Sequence, residues 1–327
     1  MILIGLAVGL IAYLICSRLF GDRIAGTLAC LIVTFHPVFL WGSGRIMTDT
    51  FALFLFGVSV YLFLRDLQSP SYGCLVLLAI IAALTTLVRP IYAFSAVVYL
   101  TSIIYINRKN LTFGMKKSVV LLLAFVLTLS PWFSYTYSKL GKPVLSVLAG
   151  VNFYIGNNPD SNGRHVWTKR MSRELPLEWD ELKRNSEGLK KGLNFIRKHP
   201  WRALLLYIRK VLIMIFAPSP SPNYLVHHRN PLEGKPPTFM ILLLFSGLMN
   251  ISYILVEVVG IRGLLNGQIR DYQKRTLTVI LLFSYIIPAI FFTSIRYTFP
   301  IIFVSIVPGS LYISSIVGKN AQVSTGK

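Results

Sequence analysis

Acids are scarce in this chain: 12 Asp and Glu stand against 33 Lys and Arg among 327 residues, a formal net charge of +21. In a soluble protein that balance would point to nucleic acid. Here charged residues of both signs together make up only 14% of the chain and hydrophobic ones 54%, with a mean hydropathy of +0.63. Such a composition is too apolar for an ordinary soluble domain, so no nucleic-acid partner is expected and the chain reads as a membrane protein. Cysteine is rare too. Cys16, Cys30 and Cys74 lie scattered through apolar runs, which excludes a disulfide framework and metal-ligand spacing and leaves them as packing residues. His227 and His228 sit in a Pro-rich loop, likewise without metal spacing.

What is present is a series of apolar runs, each near the ~20 residues needed to cross a bilayer core of about 30 Å. The spans expected are 1–17, 24–41, 50–64, 74–88, 91–106, 118–134, 238–256, 276–293 and 298–317, nine in all. The fold class expected is therefore all-α, a polytopic membrane helix bundle. It divides into N-terminal membrane helices (1–134), a polar loop with surface and juxtamembrane helices (135–237), and C-terminal membrane helices with a short tail (238–327). In the polar loop, "GNNPDSNG" carries turn-forming residues, and "LEWDELKRNSEGLKKGLNFIRKHP" alternates acid and base at helical spacing. The segment "RALLLYIRKVLIMIFA" has Arg209 and Lys210 near its middle, which is costly at mid-bilayer, so it is expected to lie along the membrane surface.

The short loops 18–23, 107–117 and 257–275 hold ten Lys and Arg side chains, Lys117 among them, and mark the cytoplasmic side. By alternation Arg45, Asp49, Arg89, the turn at Asn157 and Asn158, Arg209, Lys210, Arg296 and Tyr297 face outward, most of them at helix ends. Cations at that level can hold the phosphate of a lipid whose tail lies in the bilayer, Arg through its planar fork and Lys as a compact charge. An acid nearby, Asp49, could take a proton from an incoming hydroxyl or hold a divalent cation. The plainer readings are that Asp49 favours a helix start through the helix dipole, that Arg45 snorkels to the headgroups, and that Arg89 merely precedes Pro90 at a helix end. Alternation also puts Met1 outside, at the tip of a span that does not read as a secretory signal. An upstream helix and its outer loop are expected to precede it in the full protein.

In order along the chain stand "SRLFGDRIAGTLACLIVTFHPVFLWGSGRIMTDTFALFLF", "LTTLVRPIYAF", "SPWFSYTYSKLGKPVLSVLAGVNFYIGNNP", "RKHPWRALLLYIRKV" and "RYTFPIIF". With these the chain resembles the integral-membrane glycosyltransferases of the C-type fold, in the branch similar to dolichyl-phosphate-mannose protein mannosyltransferases and aminoarabinose transferases. The resemblance implies transfer of a sugar from a polyprenyl-phosphate carrier, on the outer side of the cell membrane, to a hydroxyl on a lipid, glycan or protein acceptor, with inversion at the anomeric carbon. It also implies that Asp49 matches the acid at the outer start of the third family helix, that Arg296 and Tyr297 match an Arg-Tyr pair, and that Lys210 matches the basic residue of the juxtamembrane helix. The acid that acts as base in the family precedes the part this chain matches, so no residue here takes that role. A lipid-linked sugar transporter and a surface-polysaccharide ligase or polymerase are the other readings. The first would call for broken helices in matching halves and charge at the midplane, and no clear internal repeat or midplane acid is found.

Overall fold

The structure, a computed structural model, describes residues 1–44, 47–219, 236–266 and 269–324. Among these it is helical throughout, apart from loops and one isolated bridge between Arg164 and Thr293. Arg45, His227 and His228 lie outside the described residues.

The chain forms two compact units. The first comprises Met1–Pro131, Ser252–Phe283 and Phe299–Lys327; the second comprises Trp132–Ile251 and Ser284–Thr298. In the first unit, α1 (Ile2–Leu14) continues through a π-helical turn, Ile15–Leu19, and α2 (Arg23–Phe35) opens on Asp22, whose side chain accepts from the Ala25 amide. His36, followed by Pro37, stops α2 and caps α3 (Pro37–Ser43) by accepting from the Val38 amide, and the two helices meet at a 57° bend. Proline cannot continue the α2 hydrogen-bond ladder but suits the first position of a new helix. There follow α4 (Thr48–Gln68), α5 (Tyr72–Val88), the 3-10 turn Pro90–Tyr92 and α6 (Ala93–Ile106). The inner faces of α4 and α6 meet through Phe63 and Tyr99, with ring centroids 4.6 Å apart, and through a 2.7 Å hydrogen bond between the hydroxyls of Ser59 and Tyr99.

Each apolar run expected to span the membrane is largely helical, 24–41 as the bent pair α2 and α3. The remaining long helices are α7 (Leu111–Leu140), α12 (Pro236–Leu265), α13 (Asp271–Ile290) and α14 (Phe299–Ser324). By length and apolarity five stretches among the described residues can cross a bilayer, namely Ile2–Leu19, Thr48–Gln68, Leu111–Leu140, Leu243–Leu265 and Ile295–Gly318, or six if the bent pair Arg23–Ser43 is one span. Of the nine expected, 276–293, on α13, is not among the candidates, and Tyr72–Val88 and Pro90–Ile106 are apolar but shorter. At 1.5 Å per residue a helix of that length falls a few ångströms short of a ~30 Å core.

In the second unit α8 (Ala149–Gly156) and α9 (Lys169–Glu174) contribute to a core of Val151, Tyr154, Met171, Leu175 and Phe292, and α10 (Glu181–Lys198) and α11 (Pro200–Phe216) share a second cluster of Phe195, Ala203 and Leu206. The alternating acid-base segment is α10, started by the Asp180 side chain on the Lys183 amide. It crosses α8 glycine to glycine: a Cβ on Gly150 would lie 1.9 Å from the Asn185 carbonyl oxygen, and one on Gly188 would lie 2.7 Å from that of Gly150. Only bare backbones approach so closely. The 17-residue α11 is not among the candidate spans. It exposes Arg202 and Arg209 together with Leu204, Leu205, Ile208 and Leu212.

Candidate functional site

The sequence-nominated residues fall into two local groups, one in each unit. In the first, Asp49 occupies the first turn of α4, and Arg89 is the extended residue at which α5 ends before Pro90. Both plain readings of these positions hold as local structure, yet the two side chains also meet: the Arg89 guanidinium donates to the Asp49 carboxylate at 2.5 Å. The Asp49 side chain is only 10% exposed and that of Arg89 31%, so the pair is shielded from water on the acid's side. A charge-assisted bond in such a setting is worth more than one at the surface. Arg89 keeps a buried Nε–H with no partner among the described residues.

In the second unit the turn "GNNPDSNGR" holds a lysine. Lys210, on α11, is fully buried, and its ammonium donates to Asn157 Oδ1 at 3.1 Å. Asn157 is itself fixed, since its amide donates to the carbonyls of Phe153 and Ile290, each at 2.8 Å. No carboxylate pairs with Lys210 among the described residues. Burial therefore disfavours its charged form and pushes its pKa down to about 8.

The loop closes on Lys210 because Gly163 has φ +92°, a left-handed conformation suited to glycine, and lacks the Cβ that would touch Lys210 Cγ at 3.3 Å. Its carbonyl accepts from the Thr293 amide at 2.8 Å and the Thr293 hydroxyl at 2.9 Å. Arg164 follows at once, donating to the carbonyls of Ser219 at 2.9 Å and Ala217 at 2.7 Å. Burial first, and then the charge of Arg209, lower the Arg164 pKa from its ordinary value. Arg202 donates to the Pro159 carbonyl at 2.7 Å.

The other nominated residues of this unit take different places. Asn158, also buried, is engaged by the loop itself: its amide donates to the carbonyls of Tyr154 and Ile155, and its oxygen accepts from the Asp160 amide at 2.8 Å. Arg296 stands in the 3-10 turn Ile295–Thr298, its Nε donating to the Ser294 hydroxyl at 3.4 Å. Tyr297 packs on Phe292, ring centroids 5.7 Å apart, at the edge of the core. Asp160 pairs with Arg170 at 3.5 Å, and Arg170 in turn with Glu174 at 3.1 Å, so these acids are already balanced.

Sequence reasoning brought forward Asn157 and Lys210 separately and missed Gly163 and Arg164. Their one signal was a glycine directly before an arginine at the end of a turn-rich run. It also counted Lys117 among the exposed loop charges. That is corrected here: Lys117 is buried and hydrogen-bonded to the buried Asp66, whose other oxygen accepts from the Ser71 amide at 3.0 Å. An ion partner 51 positions away lets the ammonium leave water.

Holding a divalent cation is one of the two roles the sequence leaves open to Asp49. Among the described residues no three His, Cys, Asp or Glu side chains come together as a metal site. The class that fold and composition define is a multi-pass helical membrane protein. Compared with known proteins, the chain matches no family model, no curated protein and no solved structure.

Proposed function

We propose that this chain is a glycosyltransferase that moves a sugar from a polyprenyl-phosphate carrier to a hydroxyl of a lipid, glycan or protein acceptor on the outer side of the membrane. The observation that carries the reading is Lys210: an ammonium buried without a carboxylate, held in place by a fixed asparagine in a basic unit. A buried cation lacking a counter-ion is costly unless an anion arrives to meet it. Its neighbours on the chain, with a surface helix rich in apolar residues, suit an anion that comes attached to a lipid.

In this scheme the acceptor oxygen forms its bond to the anomeric carbon as the bond from that carbon to the phosphate oxygen breaks. The electron pair stays with the phosphate, whose charge rises in the transition state. Lys210 and Arg296 are assigned to neutralise that growing charge, because fixed cations in a water-poor site lower the barrier without reorganising. Asn157 keeps the ammonium aimed. From the sequence reading, Asp49 is assigned to position the acceptor and Arg45 and Arg89 to the carrier phosphate, while Tyr297 is taken from the resemblance, as part of its Arg-Tyr pair. Asp49 is then a positioning acid and not the base, since its charge is committed to Arg89.

The test is binding of a short-chain polyprenyl phosphate to the detergent-solubilised protein. Wild type is expected to bind it and to ignore the matching polyprenol, and Lys210→Met is expected to weaken binding by about tenfold or more. Equal affinity for phosphate and alcohol, or an unchanged Lys210→Met, would sink the assignment.

A further inference from the structure

We infer that a second anion site, in the first unit, lies between the end of α6 and the start of α13 and holds the phosphate of an anionic glycerophospholipid. A cavity of about 700 Å³ opens there, lined by Thr101, Ser102, Tyr105, Arg108, Arg275 and Thr276, with Ile106 and Val279 supplying apolar wall. That volume is within the range of ligand sites.

Its chemistry centres on Tyr105. Arg108 donates to the phenolic oxygen at 3.1 Å, and Arg275, 170 positions away, donates to the same oxygen. Both guanidiniums also lie over the ring, 5.0 Å and 5.6 Å from its centroid. A phenolic oxygen that accepts two hydrogen bonds keeps its own O–H as a donor. Two like charges are thus gathered around one phenol together with that donor. Each guanidinium has further N–H groups to give.

Neither Arg108 nor Arg275 forms an ion pair among the described residues. Asp271, which also lines the cavity, is exposed and engages neither. Donors converging with no paired carboxylate are complementary to phosphate oxygens, which accept several charge-assisted bonds at once. Loop charges of membrane proteins ordinarily act as a diffuse set. Here the turn after α6 and a helix far away in sequence hold the charges on one side chain, which is a feature of a site.

The source is assigned to lipid because of depth and walls. The cleft stands where apolar α6 ends at Ile106, beside exposed Ile104 and half-exposed Tyr105. A headgroup phosphate reaches that level while its acyl chains stay against the helix. The inference does not depend on the proposed glycosyl transfer or on which leaflet the cleft faces.

The test is native mass spectrometry of the delipidated full chain titrated with phosphatidylglycerol. Wild type is expected to retain one such lipid in preference to phosphatidylcholine. The double variant Arg108→Gln/Arg275→Gln is expected to lose affinity by about tenfold, whereas Lys109→Gln, which removes an exposed neighbouring charge, should leave it unchanged. Tyr105→Phe keeps both charges but removes the oxygen that holds them, and about a threefold loss is expected there. Wild-type affinity in the double variant or in Tyr105→Phe would overturn the inference. So would an equal loss in Lys109→Gln, which would indicate bulk attraction only, or inorganic phosphate binding as tightly as the lipid, which would indicate a free-anion site.

Discussion

Two side chains carry the proposed chemistry, and each is explained by its partner. Lys210 gives up hydration for a single uncharged acceptor, Asn157, so its charge is retained at some cost. A polyprenyl-phosphate sugar is a phosphodiester and keeps one negative charge across neutral and alkaline pH, so in the proposed site Lys210 is the group that titrates there. With its pKa lowered to about 8, the ammonium is charged below that value and is lost as pH rises through it. Affinity for a polyprenyl-phosphate sugar should therefore be flat from pH 6 to 7 and fall above about 8, and Lys210→Arg should remove the fall, as titration by fluorescence would record. Asp49 and Arg89 were both legible as helix-end residues, and their pairing was not. The ion pair joins positions 40 apart, and local sequence has no means of registering a contact that only tertiary packing creates. Replacing Arg89 by Ala should destabilise the protein by about 1–3 kcal/mol, because it strands a mostly buried carboxylate, and thermal unfolding of Asp49→Asn beside it would show the loss to be partly shared.

At the scale of elements, the helices themselves were the most readable feature. Apolar runs bounded by polar residues mark them, Asp22 and Asp180 cap two of them, and His36-Pro37 ends the first of these. What escaped was the wiring between elements. Lys117 stands one residue before an expected span and looked like a loop charge, yet α7 begins at Leu111 and carries it inside to Asp66 at the end of α4. Asp66→Ala should cost about 3–5 kcal/mol of stability by leaving a buried ammonium alone, and the added change Lys117→Met should return much of it. Differential scanning calorimetry in detergent would measure both. The α8–α10 crossing is a second element-level feature hidden from sequence, because nothing marks Gly150 and Gly188 as mutual contacts. Gly188→Ala should force the two helices apart and lower the unfolding temperature, at a cost of about 1–3 kcal/mol.

For the whole molecule, composition alone sufficed to place the chain in a membrane, and the helices agree with that class. The number of spans was less legible, because a hydropathy run does not distinguish a helix that crosses lipid from a shorter apolar one packed within protein. The proposed orientation rests on the basic residues in and beside the short loops, Lys117 excepted, and has its own check. In a background lacking Cys16, Cys30 and Cys74, a cysteine placed at Asn162 should react with an impermeant thiol reagent on intact cells, and one at Lys109 should react only after permeabilisation. The central claim is glycosyl transfer from a lipid phosphate, and its most direct measurement uses membranes containing the chain and a panel of radiolabelled polyprenyl-phosphate hexoses and pentoses. Label should pass to a membrane acceptor from at least one lipid-linked donor and from no nucleotide sugar, with the rate at least about a hundredfold lower in Lys210→Met. Transfer from none of the donors, or a wild-type rate in Lys210→Met, would contradict it.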